Sequence, residues 1–218
     1  MDKKVLTNNI VLLFNEPINV TDKITTDVAK GESVSVFSEL NPNPIQVQIG
    51  DIQTVFIPEA AINLQIQKNS IIVSDQAVGN FDNRRTDDLL RLAWNLKKKV
   101  NAATNAYGFN FIYEIIIENH DEIWRKLSVF AGDNIPKIDD REPKIIPTIA
   151  FESEENSTMI SISPSKDFNT GIMIDTINIT ANVNYMKDLD IDLSDLTSLY
   201  KEQEIKISGY IDKVFNNE

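Results

Sequence analysis

Three aspartates near the end of the chain resemble a metal-binding motif more than any other group of residues in the sequence. Asp188, Asp190 and Asp192 alternate along the sequence, and hard cations such as Ca²⁺ bind several carboxylate oxygens. The cluster is therefore a candidate for a metal-dependent phosphohydrolase. It departs from the calcium-binding loop, however, because Leu193 stands at the Gly position and Leu199 at the Glu position. We expect no metal site, and interpret these aspartates as a strand edge leading into a helix N-terminus.

Candidates for nucleophilic or acid–base chemistry are few. The chain has no cysteine, which excludes thiolate nucleophiles, disulfides and zinc–thiolate sites. His120 is the only histidine, and neighbours such as Asp121 or Glu122 do not face it if all three lie in a helix's first turn. Ser163 and Lys166 have the spacing of a serine–lysine pair, but a proline separates them. We expect no catalytic residues and no cofactor.

The basic residues concentrate around one predicted helix. Arg84, Arg85, Arg91 and Lys98 are the candidate binding residues, for phosphate or for an acidic partner. The alternative is a solvated helix, because Lys side chains near a helix C-terminus interact favourably with the helix dipole. Nearby aspartates also neutralise part of the positive charge. The sequence leaves both interpretations open.

The overall charge restricts the classes of partner. The chain has 218 residues, a formal net charge of -12 and a pI near 4.6. Nucleic-acid binding depends on clustered Lys and Arg, and docking on anionic membranes depends on basic residues too. No apolar run approaches the roughly 20 residues of a membrane span. We expect a cytoplasmic protein, and its many Asn and Ile residues, whose codons are AT-rich, favour a bacterial or phage source.

The first half of the chain combines strand and helix patterns. An apolar run predicts a strand over Ile10–Phe14, and spacings of four predict a helix over Asn19–Lys30 that ends at Gly31. Alternation predicts a strand over Ser33–Glu39, a half-buried strand over Ile45–Ile49, and further strands over residues 54–57, 62–66 and 71–73. A long helix with Leu96 at the centre of its apolar stripe is predicted over Thr86–Ala106.

The second half repeats this order. Phe109–Glu118 is predicted to be a central strand covered on both faces, and Asn119–Gly132 a short helix. Strands follow over Ile145–Phe151, Met159–Ser163 and Gly171–Tyr185, the last with a bulge, before a closing helix that starts at Asp192 or Ser194. We therefore expect one α+β domain over 1–218. Its pseudo-repeats, 1–106 and 107–218, would share one antiparallel sheet with two long helices packed on one face.

This duplicated order resembles the TATA-box-binding-protein fold, in which two pseudo-symmetric halves share one curved sheet. Residues 61–119 carry the resemblance, with INLQIQKNSIIV, a long helix and YGFNFIYEIIIEN in sequence. The resemblance implies a fold. The chain departs from that family in its charge of -12 and in lacking two symmetric Phe pairs that would wedge between DNA bases. Helix-grip and paired ferredoxin-like folds are the alternatives.

The expected function is that of a non-catalytic interaction protein that binds another protein. One alternative is a helix-grip protein that binds a small ligand, and another is a carboxylate-dependent hydrolase. The distribution of buried side chains discriminates among the three classes. An open apolar patch favours a protein partner, an enclosed apolar cavity favours a ligand, and convergent carboxylates in a pocket favour an enzyme. The sequence does not predict an oligomeric state.

Overall fold

Nine strands in the residues that the computed structural model describes form one antiparallel sheet. Those residues are 2–15, 18–76, 85–116, 147–166 and 173–216. The strands are β1 (Asp2–Phe14), β2 (Ile45–Ile49), β3 (Ile52–Ile57), β4 (Ile62–Gln67), β5 (Ser70–Asp75), β6 (Thr104–Ile116), β7 (Thr148–Glu152), β8 (Ser157–Lys166) and β9 (Met173–Tyr185). The predicted α+β class and the single antiparallel sheet spanning both halves are confirmed.

The sheet is arranged around its two long central strands, β1 and β6. The strand order is β2-β3-β4-β5-β1-β6-β9-β8-β7. On one side β1 pairs with β5, and strands of decreasing number run outward to β2. On the other side β6 pairs with β9, and strands of decreasing number run outward to β7. In the described residues the strands therefore run outward in the same sense on the two sides of the β1–β6 pair, with four strands beyond β1 and three beyond β6.

The helices pack on one face of this sheet. In the described ranges they are α1 (Val20–Lys23), α2 (Thr26–Val36), α3 (Thr86–Val100) and α4 (Leu193–Asn216). The buried side chains of α3 pack over β1 and β5, while Tyr200 of α4 contacts the rings of Phe109 and Phe111 on β6. Alternation along the strands directs one set of apolar side chains into this layer, and their burial drives the packing.

Helix α3 is shorter than its pattern predicts. It ends at Val100 rather than at Ala106, because Asn101 adopts a left-handed conformation with φ of 53° and its N–H bonds to Lys97 O. Asn tolerates this conformation, and it terminates a helix in the same way as Gly. β6 then begins at Thr104, so the expected repeat boundary at 106/107 lies inside this strand.

The predicted strand over Ser33–Glu39 is wrong. Most of this segment belongs to α2, which starts after the N-cap Thr25 and passes through Gly31 without ending there. Inside the helix the Ser33 hydroxyl donates to Ala29 O at 2.9 Å, which satisfies a polar group that is fully buried. The predicted helix over Asn19–Lys30 is instead two helices, α1 and the first half of α2, separated at Ile24 and Thr25.

The burial of two strands also differs from expectation. Strand β2, expected to be half-buried, exposes all five of its side chains. Strand β6 is central as predicted, but within the described residues its two faces differ, since Phe109 and Phe111 are fully buried whereas Ile112 is partly exposed and Ile116 is 39% exposed. The predicted bulge is confirmed by a register shift between β8 and β9. Arg84, the predicted helix over 119–132 and His120 lie outside the described residues.

Candidate functional site

The register of the sheet separates its side chains into a helix-covered face and an opposite face, called here the open face. A row of cross-strand neighbours on the covered side runs Gln46, Val55, Leu64, Val73, Ile10, Phe109, Val183, Thr158 and Phe151. The adjacent row on the open face runs Val47, Thr54, Gln65, Ile72, Val11, Gly108, Asn184, Ser157 and Glu152. The six residues from Val55 to Val183 in the first row are fully buried, whereas the second row is mostly polar.

An apolar cluster occupies the open face where β2 and β3 meet. This edge patch consists of Ile45, Val47, Ile49, Ile52 and Phe56. Two direct cross-strand pairs, Ile45 with Phe56 and Ile49 with Ile52, lie on either side of Val47. The β2 side chains are 52%, 47% and 72% exposed in chain order, and Ile52 is 39% exposed. Isolated exposed apolar residues are common on protein surfaces, whereas a contiguous patch of this kind is a candidate interaction site.

The centre of the open face is lined by side-chain amides. Asn110 Nδ2 donates to Asn9 Oδ1 at 2.7 Å across the β1–β6 pair. Asn182 of β9 is the next cross-strand neighbour of Asn110, and Asn184 follows two residues further along that strand. Amides both donate and accept hydrogen bonds without carrying charge, so this amide centre can bond to donors and to acceptors.

Gly108 keeps the sheet regular beside the amide centre. A Cβ atom built on Gly108 would lie 2.8 Å from the Asn184 side-chain oxygen and 2.8 Å from Val183 O. Because Val183 O belongs to the backbone of the neighbouring strand, it cannot rotate away from such a contact. A glycine at this position therefore lets β6 and β9 pair closely under the amide centre.

Charged side chains are few on the open face. Among strand residues with described side chains, the charged ones that the register places there are Lys4, Glu114 and Glu152. Lys4 and Glu114 are cross-strand partners of opposite sign. A quarter of the whole chain is charged, so the charge is concentrated on other surfaces. Depletion of charge is the compositional signature of the core of a protein interface.

The three candidate metal ligands lie in different local environments. Asp188 Oδ1 accepts the backbone N–H and the hydroxyl of Thr104, at 2.8 and 2.9 Å. Asp192 Oδ1 accepts Asp195 N–H at 2.8 Å and so caps the N-terminus of α4, as the helix-start interpretation predicts. Asp190 is exposed. Within the described part of the chain, no group of three or more His, Asp or Glu side chains has a metal-binding arrangement.

The candidate basic residues make contacts within the chain. Arg91 donates to Asp88 Oδ1 at 2.6 Å and to Val36 O at 2.9 Å, and Arg85 lies 3.4 Å from the same Asp88 carboxylate. Lys98 Nζ lies over the Trp94 ring, 3.3 Å from its centroid. These contacts lie on the helix-covered side of the sheet, whereas the edge patch lies on the open face. The structure therefore does not place the described candidate basic residues at the amide centre or at the edge patch.

A groove lies between α4 and the β7–β8 edge. This open groove has a volume of about 330 Å³ and is lined by residues that include Phe151, Ile160, Gln203, Ile207 and Tyr210. The Phe151 and Tyr210 rings meet edge to face at 5.3 Å between centroids. The groove is open to solvent, so it differs from the enclosed apolar cavity expected of a helix-grip ligand-binding protein.

An aromatic cluster under α4 was not predicted from the sequence as a unit. The rings of Tyr107 and Tyr185 stack at 4.8 Å, and Phe109 packs against Tyr185 and Tyr200. Burial raises the pKa of both Tyr107 and Tyr185, so both phenols are neutral at physiological pH. Tyr200 lies four residues after Leu196, and this spacing is the sequence signal that identifies it as part of the buried stripe.

The open-face amides were also missed, although their signal is visible in the sequence. Asn178, Asn182 and Asn184 alternate with Ile177, Ala181 and Val183 along β9, as on a strand with one buried face.

None of the helices in the described ranges is long and apolar enough to cross a membrane. No protein-family model matches this chain, and no curated protein is significantly similar to it in sequence.

Proposed function

We propose that this chain is a non-catalytic interaction protein of the bacterial or phage cytoplasm that binds another protein through the open face of its sheet. The observation that carries the proposal is the edge patch, where Ile45, Val47 and Ile49 are each about half exposed or more. Removing these side chains from water on binding contributes roughly 25 cal/mol for each Å² of apolar surface. The patch therefore acts as the apolar anchor of the interface.

The rest of the open face supports the same function. Strands β4 and β5 separate the amide centre from the patch, and none of the open-face side chains of these two strands is charged. Protein interfaces combine an apolar anchor with uncharged hydrogen-bonding groups, and charged residues are depleted from their cores. A partner that covers both regions would bury apolar side chains at the edge of the sheet and bond to amides at its centre.

The strand order supports a proposed resemblance to the TATA-box-binding-protein fold and its two pseudo-repeats. In each half the first strand is central, the last strand pairs with it, and a long helix follows. A fold of this type leaves one broad sheet surface available for binding. Fold alone does not determine function, so the partner class follows from the side chains on the open face.

The test compares proteins that copurify with the tagged chain and with surface variants. Val47→Lys and Thr54→Lys each introduce a charge on the open face, one at the edge strand and one at its inner neighbour. Met186→Lys and Ile205→Lys are matched controls, because these residues are 79% and 71% exposed and lie outside the open-face strands. The chain is expressed in its native cell, and quantitative mass spectrometry compares the recovered proteins.

The expected result is one or more proteins enriched by wild type and by both controls, and lost with both open-face variants. Circular dichroism and thermal unfolding check that each variant is folded. A partner that all four variants retain would contradict the proposal. Loss of the partner with the controls alone would place the binding surface on another part of the molecule.

A further inference from the structure

We propose that strand β2 pairs antiparallel with β2 of a second copy of this chain, in a register centred on Val47. The inference rests on the proposed function, because it uses the edge patch and names one occupant of it. Strand β2 is the last strand on its side of the described sheet order, so its outer edge has no neighbouring strand there. An exposed strand edge presents backbone N–H and C=O groups that another strand can pair with.

The edge strand lacks the features that prevent such pairing. Its residues, Ile45–Ile49, include no charged residue and no proline, and all are exposed. Its register with β3 is regular over all five pairs, with no bulge to twist the edge away. Soluble proteins normally block exposed edges with lysine, proline or a bulge. Strand β2 is therefore suited to edge-to-edge association.

The sequence of β2 identifies a second copy as the matching strand. It reads Ile-Gln-Val-Gln-Ile, which is the same in both directions. Antiparallel pairing centred on Val47 places Ile45 opposite the second copy's Ile49, Gln opposite Gln, and Val47 opposite its own equivalent. Apolar residues would meet apolar residues on the open face, and amides would meet amides on the other face. A two-fold interface requires this self-complementarity.

The pairing would join the open faces of two copies. The two edge patches would become neighbours and form one apolar surface across the two-fold axis, continuous with both sheets. Five paired residues from each copy form a small contact compared with a standard interface of roughly 1,600 Å². We therefore expect reversible association that increases with protein concentration.

Net charge provides an independent signature of this association. Each copy carries a formal charge of -12, so two copies repel one another over long range. The paired strands themselves are uncharged, and salt reduces the repulsion without weakening their contacts. The dimer fraction measured by sedimentation velocity should rise with ionic strength. An association that depended on surface ion pairs would fall under the same conditions.

Engineered cysteines test the register directly, because the chain contains no cysteine. Directly opposite residues in antiparallel strands have Cα atoms roughly 4.5–5.5 Å apart, within the range that a disulfide spans. Val47→Cys should therefore form a disulfide-linked dimer under mild oxidation, at most of the protein in a non-reducing gel. Met186→Cys is the matched exposed control, and it should remain monomeric.

The neighbouring positions discriminate this register from others. Ile45→Cys alone places two thiols roughly 14 Å apart along the strands, too far for a disulfide. A mixture of Ile45→Cys and Ile49→Cys should instead give a disulfide between the two different variants. Equal crosslinking by Ile45→Cys alone would overturn the proposed register. Failure of Val47→Cys to crosslink above the Met186→Cys control would overturn the pairing itself.

The two proposals fail in different ways. If Val47→Cys does not crosslink while Thr54→Lys still abolishes capture of another protein, self-pairing is wrong and the proposed function stands. If Val47→Cys crosslinks while Thr54→Lys and Val47→Lys retain every captured protein, self-pairing stands and the proposed binding of another protein is wrong.

Discussion

Thr104 donates both its backbone N–H and its hydroxyl to one carboxylate oxygen of Asp188, at 2.8 and 2.9 Å. The same hydroxyl accepts the N–H of Leu189 at 2.8 Å, and Lys97 Nζ lies 3.6 Å from the carboxylate. These contacts connect the start of β6, the end of α3 and the segment that leads into α4. Asp188, one of the three candidate metal ligands, is therefore bound to Thr104 and holds these three segments together.

Replacing Asp188 with Ala should destabilise the protein. Thr104 is 3% exposed, so its backbone N–H would lose its partner in a buried position. An unsatisfied buried donor costs about 1–3 kcal/mol. The matched control is Asp190→Ala, at an exposed residue, which should change the free energy of unfolding by no more than about 0.5 kcal/mol. Urea denaturation of both variants measures the difference, and equal effects would contradict the structural role of Asp188.

Acid should remove part of this stabilisation. Partial burial on its own raises the pKa of Asp188, but the hydrogen bonds from Thr104 and the positive charge of Lys97 outweigh burial and lower the pKa below its usual value of 3.8. A lowered folded-state pKa gives stability that is present above the unfolded pKa and is lost as pH falls through the folded one.

The comparison that isolates this effect is wild type against Asp188→Asn, which keeps an acceptor oxygen but removes the charge. The difference in unfolding free energy should be constant from neutral pH down to roughly pH 5 and then decrease below roughly pH 4. A difference that stays constant to roughly pH 2.5 would show that the carboxylate charge does not contribute.

The buried stripe of α3 gives a second stability prediction. Leu96 is fully buried, and Leu96→Ala should cost about 2–5 kcal/mol through lost transfer energy and the residual cavity. Lys98 is exposed and contacts the Trp94 ring, so Lys98→Ala should cost no more than about 1 kcal/mol. Chemical denaturation measures both variants. Similar losses for the two would contradict the packing of this helix.

Two glycines should respond in opposite directions to the same substitution. Gly108→Ala would place a Cβ atom 2.8 Å from the backbone oxygen of Val183 and should cost about 1–3 kcal/mol. Gly209 lies inside α4 with no atom within 4 Å of an added Cβ, so Gly209→Ala should stabilise the protein by roughly 0.5–1 kcal/mol. Thermal unfolding of the two variants checks both signs, and stabilisation by Gly108→Ala would refute the close β6–β9 pairing.

The proposed resemblance to the TATA-box-binding-protein fold should not extend to DNA binding. The chain has a net charge of -12, and its described open-face strands present mainly amide, hydroxyl and apolar groups in place of Lys and Arg. Affinity for duplex DNA arises largely from phosphate contacts by basic residues. Fluorescence anisotropy with a labelled duplex at physiological salt should show no binding at micromolar protein. Saturable binding in that range would disprove this prediction.

Local sequence patterns were sufficient to predict the structure where apolar residues recur regularly on one face of a strand or helix. The patterns over residues 62–66 and 71–73 correctly predict two strands, which the structure extends to Ile62–Gln67 and Ser70–Asp75, and the spacing around Leu96 correctly predicts its burial. Asp192 was predicted to lie at a helix start and caps α4. In these cases the residues that determine the structure are close in sequence, so periodicity and capping chemistry identify it directly.

Local sequence patterns gave wrong predictions where a contact between residues distant in sequence determines the structure. The alternating residues of Ser33–Glu39 form a helix, where Arg91 of α3 donates to Val36 O at its C-terminal end. Alternation in β2 predicts a half-buried strand, but the position of β2 at the sheet edge leaves its side chains exposed. Local patterns also contain no signal for the contact between Asp188 and Thr104, which lie 84 residues apart in sequence.

The sequence by itself determined the α+β class, the acidic surface and most strand positions, because these depend on composition and on short-range periodicity. Only the tertiary structure decided which polar faces of the strands come together as an open face, and that β2 lies at its edge. Strand order sets those neighbours, and it results from pairing between residues as distant in sequence as Asn9 and Asn110. The edge patch and the amide centre exist only because such long-range pairing aligns side chains that are dispersed along the chain.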